Sequence, residues 1–335
     1  KGMARLFVLR SFSAAAVILR VRAWRGRSIL MIWSENLVRE KAIEERKRPL
    51  RMPERLSPSA VTAFSECEQW FLYRYIWKLP EPPSPELERG ILVHKVLEEI
   101  YSKDKKDRTI ETAHSMFRSY WTEERQTKRE LLFDMDLQKE REWGLNGLRM
   151  LDNYFILENP QNMDDDTIFA RERWVRCNKV NLPASLPSPL TVLGKIDRLD
   201  TTDQGTLCVV DYKTGSAPTQ TKYSKPFIEK MQNQAFFQLF FYAWLLEQEH
   251  FSVSQLKIIY LGGQQGGFID QRVSLSDDLK NVEDTLLQTW TKIFHLISAN
   301  QPLAFKGCTR SFCNCRLYKS LIFSPSELKQ EHHEE

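Results

Sequence analysis

Long apolar runs are missing. No stretch of 18 apolar residues occurs among the 335, so the sequence predicts no membrane-spanning helix. Glycine (13) and proline (15) are too scarce for a collagen-like or low-complexity chain. No self-similarity appears at a period of about 20–50 residues, which argues against solenoids and propellers. The six cysteines, at 67, 177, 208, 308, 313 and 315, are too sparse for a secreted disulfide framework. No Gly-x4-Gly-Lys-Ser/Thr loop is present, so a helicase motor would have to be a separate partner chain. Acid is absent before Glu35, while residues 1–33 carry seven of the 48 Lys and Arg. The formal charge of +4 therefore belongs to that leader, and the rest of the chain is slightly acidic. Bulk charge gives no support for a nucleic-acid partner, and any basic groove must be local.

What remains is a core-forming composition, 42% hydrophobic and 11% aromatic. The Arg-rich, acid-free residues 1–33 read as an organellar leader, plastid or mitochondrial, with a short secretory segment at 11–19 as the alternative. Without such a leader, the expectation is a cytoplasmic or nuclear protein. Residues 34–56, charged and holding Pro49 and Pro53, read as a linker or a solvated helix. An ordered domain is expected over 57–325, and a disordered tail over 326–335. Ser57 followed by Pro58 predicts a helix start, running to about Leu79. Further helices fit 86–103, 109–125 and 137–157, giving a helical N-terminal portion. The period then turns strand-like at 167–180, 190–199 and 207–213, with a hairpin turn at 201–205. A helix at 227–249, strands at 256–261 and 268–273, and a helix at 276–299 with Ser276 as its N-cap complete an α/β layered domain.

The chemistry is concentrated in Gly194-Lys195-Ile196-Asp197-Arg198 and Val209-Val210-Asp211-Tyr212-Lys213. A hairpin centred on Gln204 puts Asp197 across from Asp211, with Cβ atoms about 5 Å apart. Two carboxylates so close repel unless something positive lies between them. A hard divalent cation, Mg²⁺ or Mn²⁺, suits such oxygen donors. Asp211 and Lys213 share one strand face, so Lys213 can stabilise developing charge on a phosphate or orient a water. An isolated Asp-x-Lys is more often a surface ion pair, but Asp211 follows Leu207-Cys208-Val209-Val210, a buried-strand run. A charge at the end of such a strand needs a reason.

These two segments resemble the RecB-type branch of the PD-(D/E)XK nuclease superfamily. The opening helix around Leu56–Ile76, the Gly90-x-x-x-His94 motif and the Gln238-x-x-x-Tyr242 motif resemble that family in the same order. The resemblance implies a restriction-endonuclease-like core, a central mixed β-sheet flanked by helices. It implies metal ligation by His94, Asp197, Asp211 and the backbone carbonyl of Tyr212. Lys213 matches the catalytic lysine, and Gln238 and Tyr242 the site-lining helix. The expected activity is metal-dependent DNA hydrolysis, exonucleolytic and leaving a 5′-phosphate, in repair or recombination. Arg74, Lys78, Arg89 and Lys95 lie on the helices nearest His94 and are candidates for phosphate contacts to single- or double-stranded DNA.

Some relatives of that family hold a 4Fe-4S cluster with one N-terminal and three C-terminal cysteines. Cys67, Cys308, Cys313 and Cys315 have that one-plus-three layout, although Cys-x4-Cys-x-Cys departs from the usual spacing. Zinc and no metal at all are the alternatives. Cys177 and Cys208 fall in strand patterns and read as small buried residues. Two other function classes compete. One is a nuclease-fold scaffold that binds DNA without cutting; the other is an iron–sulfur or zinc interaction module. The first does not need paired carboxylates, and the second leaves the hairpin unexplained.

Overall fold

The computed structural model describes residues 17–22, 28–178, 180, 182–187, 190–219, 223–263, 266–273, 275–311 and 313–330. In chain order, β1 (Val17–Arg22) and β2 (Ser28–Trp33) form an antiparallel pair of their own. Then come α1 (Glu35–Arg46), β3 (Arg55–Leu56), α2 (Pro58–Glu66) and α3 (Glu68–Phe71), which runs into a π-helical turn at Leu72–Ile76. Three helices follow: α4 (Pro85–Ile100), α5 (Ile110–Phe133) and α6 (Leu137–Leu157). The rest is β4 (Ile168–Cys177), β5 (Thr191–Thr201), β6 (Leu207–Lys213), α7 (Lys225–Gln248), β7 (Val253–Tyr260), β8 (Phe268–Arg272), α8 (Ser276–Ala299), α9 (Cys315–Ile322) and α10 (Pro325–Gln330).

The central sheet has the order β3-β5-β6-β7-β8, with β4 also paired to β5. The β3–β5 and β6–β7 pairs are parallel and the others antiparallel, so the sheet is mixed, as the sequence predicted. Strand β6 is buried on both faces, which explains its unbroken apolar run. Cys208, Val210 and Tyr212 enter one core with α4, α5 and α6, while Val209 enters the other with α7 and α8. By the period-two rule, Asp211 and Lys213 therefore share the face of Val209, toward α7.

Local signals account for the element boundaries. Ser57 Oγ accepts the Ala60 N–H at 3.2 Å, with Pro58 in the first turn of α2. Ser276, expected as an N-cap, is instead the first helical residue after Leu275. The predicted continuous helix from 57 to 79 is broken. Cys67 is extended (φ −164°, ψ 101°), and its sulfur accepts the Trp70 N–H at 3.3 Å, capping α3. Of the two readings of 34–56, the solvated helix holds at 35–46 and the linker is corrected there, because α1 buries Val38 and Ala42 completely in the core. Charge dominates the composition of α1, but two small apolar residues one turn apart suffice to dock it. The tail is corrected for 326–330, which form most of α10 and place Glu327 in an ion pair with Arg46. Residues 331–335 lie outside the described residues, as does most of the leader. No helix among the described residues is long and apolar enough to cross a membrane.

Candidate active site

The hairpin has the register that the sequence implied. Arg198 faces Val210 and Thr201 faces Leu207, so the pairing is centred on Gln204. Pairing stops at Arg198 and Val210, and Asp197 and Asp211 are the next residues in register. There the Asp197 carboxylate replaces the ladder, its Oδ2 accepting the Tyr212 N–H at 2.9 Å. Ile196 and Leu199, three residues apart, sit in the same core, so β5 loses strict alternation across Asp197. Opposite this irregularity, by the β4–β5 register, stands Glu172, with a left-handed φ of 48°. A non-glycine residue in that region re-aims its side chain at the cost of backbone strain.

The consequence is a convergence of donors. His94, Glu172 and Asp197 each offer one ligand atom, and these atoms lie within 4.8 Å of one another. His94 Nδ1 is 3.5 Å from Asp197 Oδ2. Burial pulls the His94 imidazole pKa down, but the Asp197 carboxylate, with Asp211 behind it, outweighs burial and moves it up. Burial alone would raise the Asp197 carboxyl, yet His94, the Tyr212 N–H and Lys213 hold it below the usual range. Sequence reading missed Glu172. Its neighbours Arg171 and Arg173 make it look like one charge in a solvated strand. Its approach to Asp197 depends on a β4–β5 register that the long connection at 178–190 does not reveal.

Asp211 stands beside this group, 3% exposed. Burial pushes its carboxyl up, against the pull of Lys213 and with the repulsion of Asp197. Lys213 Nζ is 2.8 Å from Asp211 Oδ2 as an ion pair, yet that oxygen has no donor in hydrogen-bond geometry among the described residues. A buried acceptor left in that state is suited to a cation. Lys213 Nζ donates to Gln238 Oε1 at 2.7 Å, and Gln238 Nε2 donates to the Tyr242 hydroxyl at 2.9 Å. Tyr242 is fixed in turn by Gly194. A Cβ there would come within 2.4 Å of the Tyr242 ring, so only glycine admits the contact. The predicted Asp211, Lys213, Gln238 and Tyr242 are thus one continuous chain of polar contacts.

Behind the site, Arg198 is fully buried and neutralised by Asp200 and Glu158, each at 2.8 Å. It also donates to the hydroxyls of Tyr154 and Tyr212 at 2.8 Å, pinning the Tyr212 side chain on the sheet face opposite Asp211. The four proposed phosphate contacts are not brought together. Arg74 and Lys78 line one groove, and Arg89 lines a second with Arg149. The Lys95 ammonium lies 3.8 Å from the centre of the Tyr120 ring.

The four cysteines of the one-plus-three layout are brought together. The sulfurs of Cys67, Cys308, Cys313 and Cys315 all lie within 4.8 Å of one another, with Cys308 and Cys315 at 3.9 Å. The polypeptide supports the same meeting. Gln69 N–H donates to the Lys306 carbonyl at 3.1 Å, Lys306 N–H to Glu68 at 3.0 Å, and Arg310 pairs with Glu66 at 2.6 Å. Burial pushes the Cys67 thiol well up, whereas contacts with Arg310 bring Cys308 down to about 6 despite burial.

A family model of the PD-(D/E)XK nuclease superfamily matches residues 55–317. No curated protein matches the chain significantly. Among solved structures, a candidate exonuclease from Eubacterium rectale is 12% identical with a TM-score of 0.50, over 90% of this chain and 98% of that one. The structure of SSO0001 is also 12% identical, over 76% of this chain and 85% of its own, with a TM-score of 0.32. At such identity the first likeness concerns the fold alone, and the second score carries no weight.

Proposed function

The chain belongs to the PD-(D/E)XK nuclease superfamily, and on that premise we propose that it is a divalent-metal-dependent, RecB-type deoxyribonuclease acting exonucleolytically in repair or recombination. The observation that carries this reading is the convergence of His94, Glu172 and Asp197 beside the chain from Asp211 to Tyr242. The donor set is hard oxygen plus one imidazole, and the buried Asp211 oxygen, paired only with the Lys213 ammonium among the described residues, adds a further acceptor, so the residues fit Mg²⁺ or Mn²⁺. His94, Glu172, Asp197 and Asp211 would hold the ion, with the Tyr212 carbonyl as the additional ligand that the resemblance implies. Bound there, it would neutralise phosphate charge and lower the pKa of a coordinated water.

The protein's own groups do the rest. Lys213 presents a fixed positive charge to the reacting phosphate, held by Asp211 on one side and Gln238 on the other. Tyr242 keeps Gln238 in place, and Gly194 keeps Tyr242 in place. Such preorganisation stabilises charge that grows in the transition state without reorganisation at the moment of reaction. A scaffold that only bound DNA would need none of these buried, mutually repelling carboxylates. End-labelled single- and double-stranded DNA, incubated with Mg²⁺, Mn²⁺ or EDTA, tests the reading. Cleavage should require the metal and disappear in Asp211→Ala, and metal-independent cleavage would refute it.

The four cysteines support a second, structural metal centre. A 4Fe-4S cluster is the occupant that the resemblance implies. The observed separations are nearer the roughly 3.8 Å of four thiolates around one zinc ion than the roughly 6–7 Å expected across a cubane. Metal content and visible absorption of the purified protein decide between them. Organellar delivery by residues 1–33 is part of the same proposal, and a reporter fused behind them that stays cytosolic would remove it.

A further inference from the structure

A groove of about 1020 Å³ opens over β5 at Leu193–Lys195. Its lining includes Gly194 and Lys195, with Tyr242 and Gln238, the hydrogen-bond partner of Lys213. One wall is the segment from Arg48 to Ala60, and another is the turn carrying Arg74 and Lys78. The first wall is fixed before any ligand arrives. Leu50 N–H donates to Asn300 at 2.9 Å, Leu50 and Met52 pack on the core, and Arg55–Leu56 pair with β5.

Six basic side chains line this groove against two acidic ones, Glu45 and Glu54, in a protein whose remainder is slightly acidic. Three of the six already have carboxylate partners: Arg48, Arg74 and Lys195. The side chains of Arg51, Arg55 and Lys78 are exposed and have no hydrogen-bond or ion-pair partner among the described residues. Trp174, 65% exposed and two residues along β4 from Glu172, lines the same groove. It is the cross-strand partner of Lys195, which pairs with Glu172. A large aromatic left in water on a sheet face, in one groove with free cations, is suited to stacking a base.

We propose that this groove is the track for one unpaired DNA strand, with Trp174 stacking a base and Arg51, Arg55 and Lys78 contacting phosphates. The proposal rests on the nuclease reading for its choice of polymer. Its choice of strandedness rests on chemistry. In a duplex each base face is covered by its neighbours, so an indole can stack only on a base that has been released. The track then leads the strand past Lys195 to Gln238, which holds Lys213, and substrate preference becomes a property of the groove rather than of the metal site.

The test is binding of a 20-nucleotide fluorescent strand and its duplex, by anisotropy, to full-length protein made inactive with Asp211→Asn. The single strand should bind at least tenfold more tightly than the duplex. Adding Trp174→Ala should weaken single-strand binding roughly tenfold and leave the duplex nearly unchanged, whereas Trp174→Phe should keep most of the affinity. Arg51→Glu with Arg55→Glu should weaken binding and flatten the salt dependence by about 1.4 in log–log slope. Equal affinity for duplex, or unaltered single-strand affinity in Trp174→Ala, would overturn the track. Cleavage by the wild-type protein is read separately. A protein that binds as described but cuts nothing keeps the track and loses the nuclease reading.

Discussion

The reactive hairpin and the cysteine corner are built on opposite principles. The hairpin gathers Asp197, Asp211 and Lys213 within 17 residues by strand register alone, and buries the Asp211 carboxylate against the repulsion of Asp197. The corner joins Cys67 to a segment some 240 residues away, and braces the sulfurs with backbone hydrogen bonds and the Arg310–Glu66 ion pair. One region stores unfavourable electrostatics where charge is to be used. The other has every mark of a fastening. Stability and chemistry should therefore separate when each is disturbed.

The largest effect is expected at the hairpin. Asp211→Asn should lower the cleavage rate by roughly 10³-fold or more. Because burial makes its charge costly, the melting temperature should not fall, and a large fall would assign Asp211 to the fold instead. Next comes the corner. In the chain-entropy view of cross-links, a centre closing so long a loop contributes up to about 5 kcal/mol. Cys308→Ser should cost several kcal/mol of stability by denaturant titration, while the rate per folded molecule stays near wild type. A rate that falls in step with the hairpin mutants would erase the contrast.

Glu172→Gln sharpens the comparison within the site. It keeps the side-chain shape but removes one anionic donor, and should weaken metal activation by about 10–100-fold. An unchanged metal requirement would return Glu172 to the role of a partner for Lys195. The smallest change is Gly194→Ala, whose Cβ forces Tyr242 aside. Overpacking of this kind costs about 1–3 kcal/mol, and Gln238 and Lys213 should lose alignment with it, cutting the rate severalfold.

Much of this architecture is readable without coordinates. The Ser57-Pro58 helix start, the buried run before Asp211 and the turn centred on Gln204 are local signals, and each appears in the structure close to where the residues put it. For residues 34–56 the helix was readable but its docking was not, because the burial of Val38 and Ala42, and the groove wall beyond them, depend on partners distant in the chain. The helix break at Cys67 failed for a related reason. The extended residue is compensated by the 306–315 segment, which sequence periodicity cannot sense.

The sequence by itself determined the strand register that faces two aspartates, the helix face shared by Gln238 and Tyr242, and the one-plus-three layout of the cysteines. All of these follow from periods of two and 3.6 residues and from short-range turns. Tertiary structure decided what those periods cannot reach. It turned Glu172 toward Asp197 through a left-handed backbone residue, set Trp174 in one groove with arginines of the 51–55 segment, and brought Cys67 to Cys308. Each is a contact between segments far apart in sequence, and it arises only when the burial of two distinct cores fixes the strands and helices against one another.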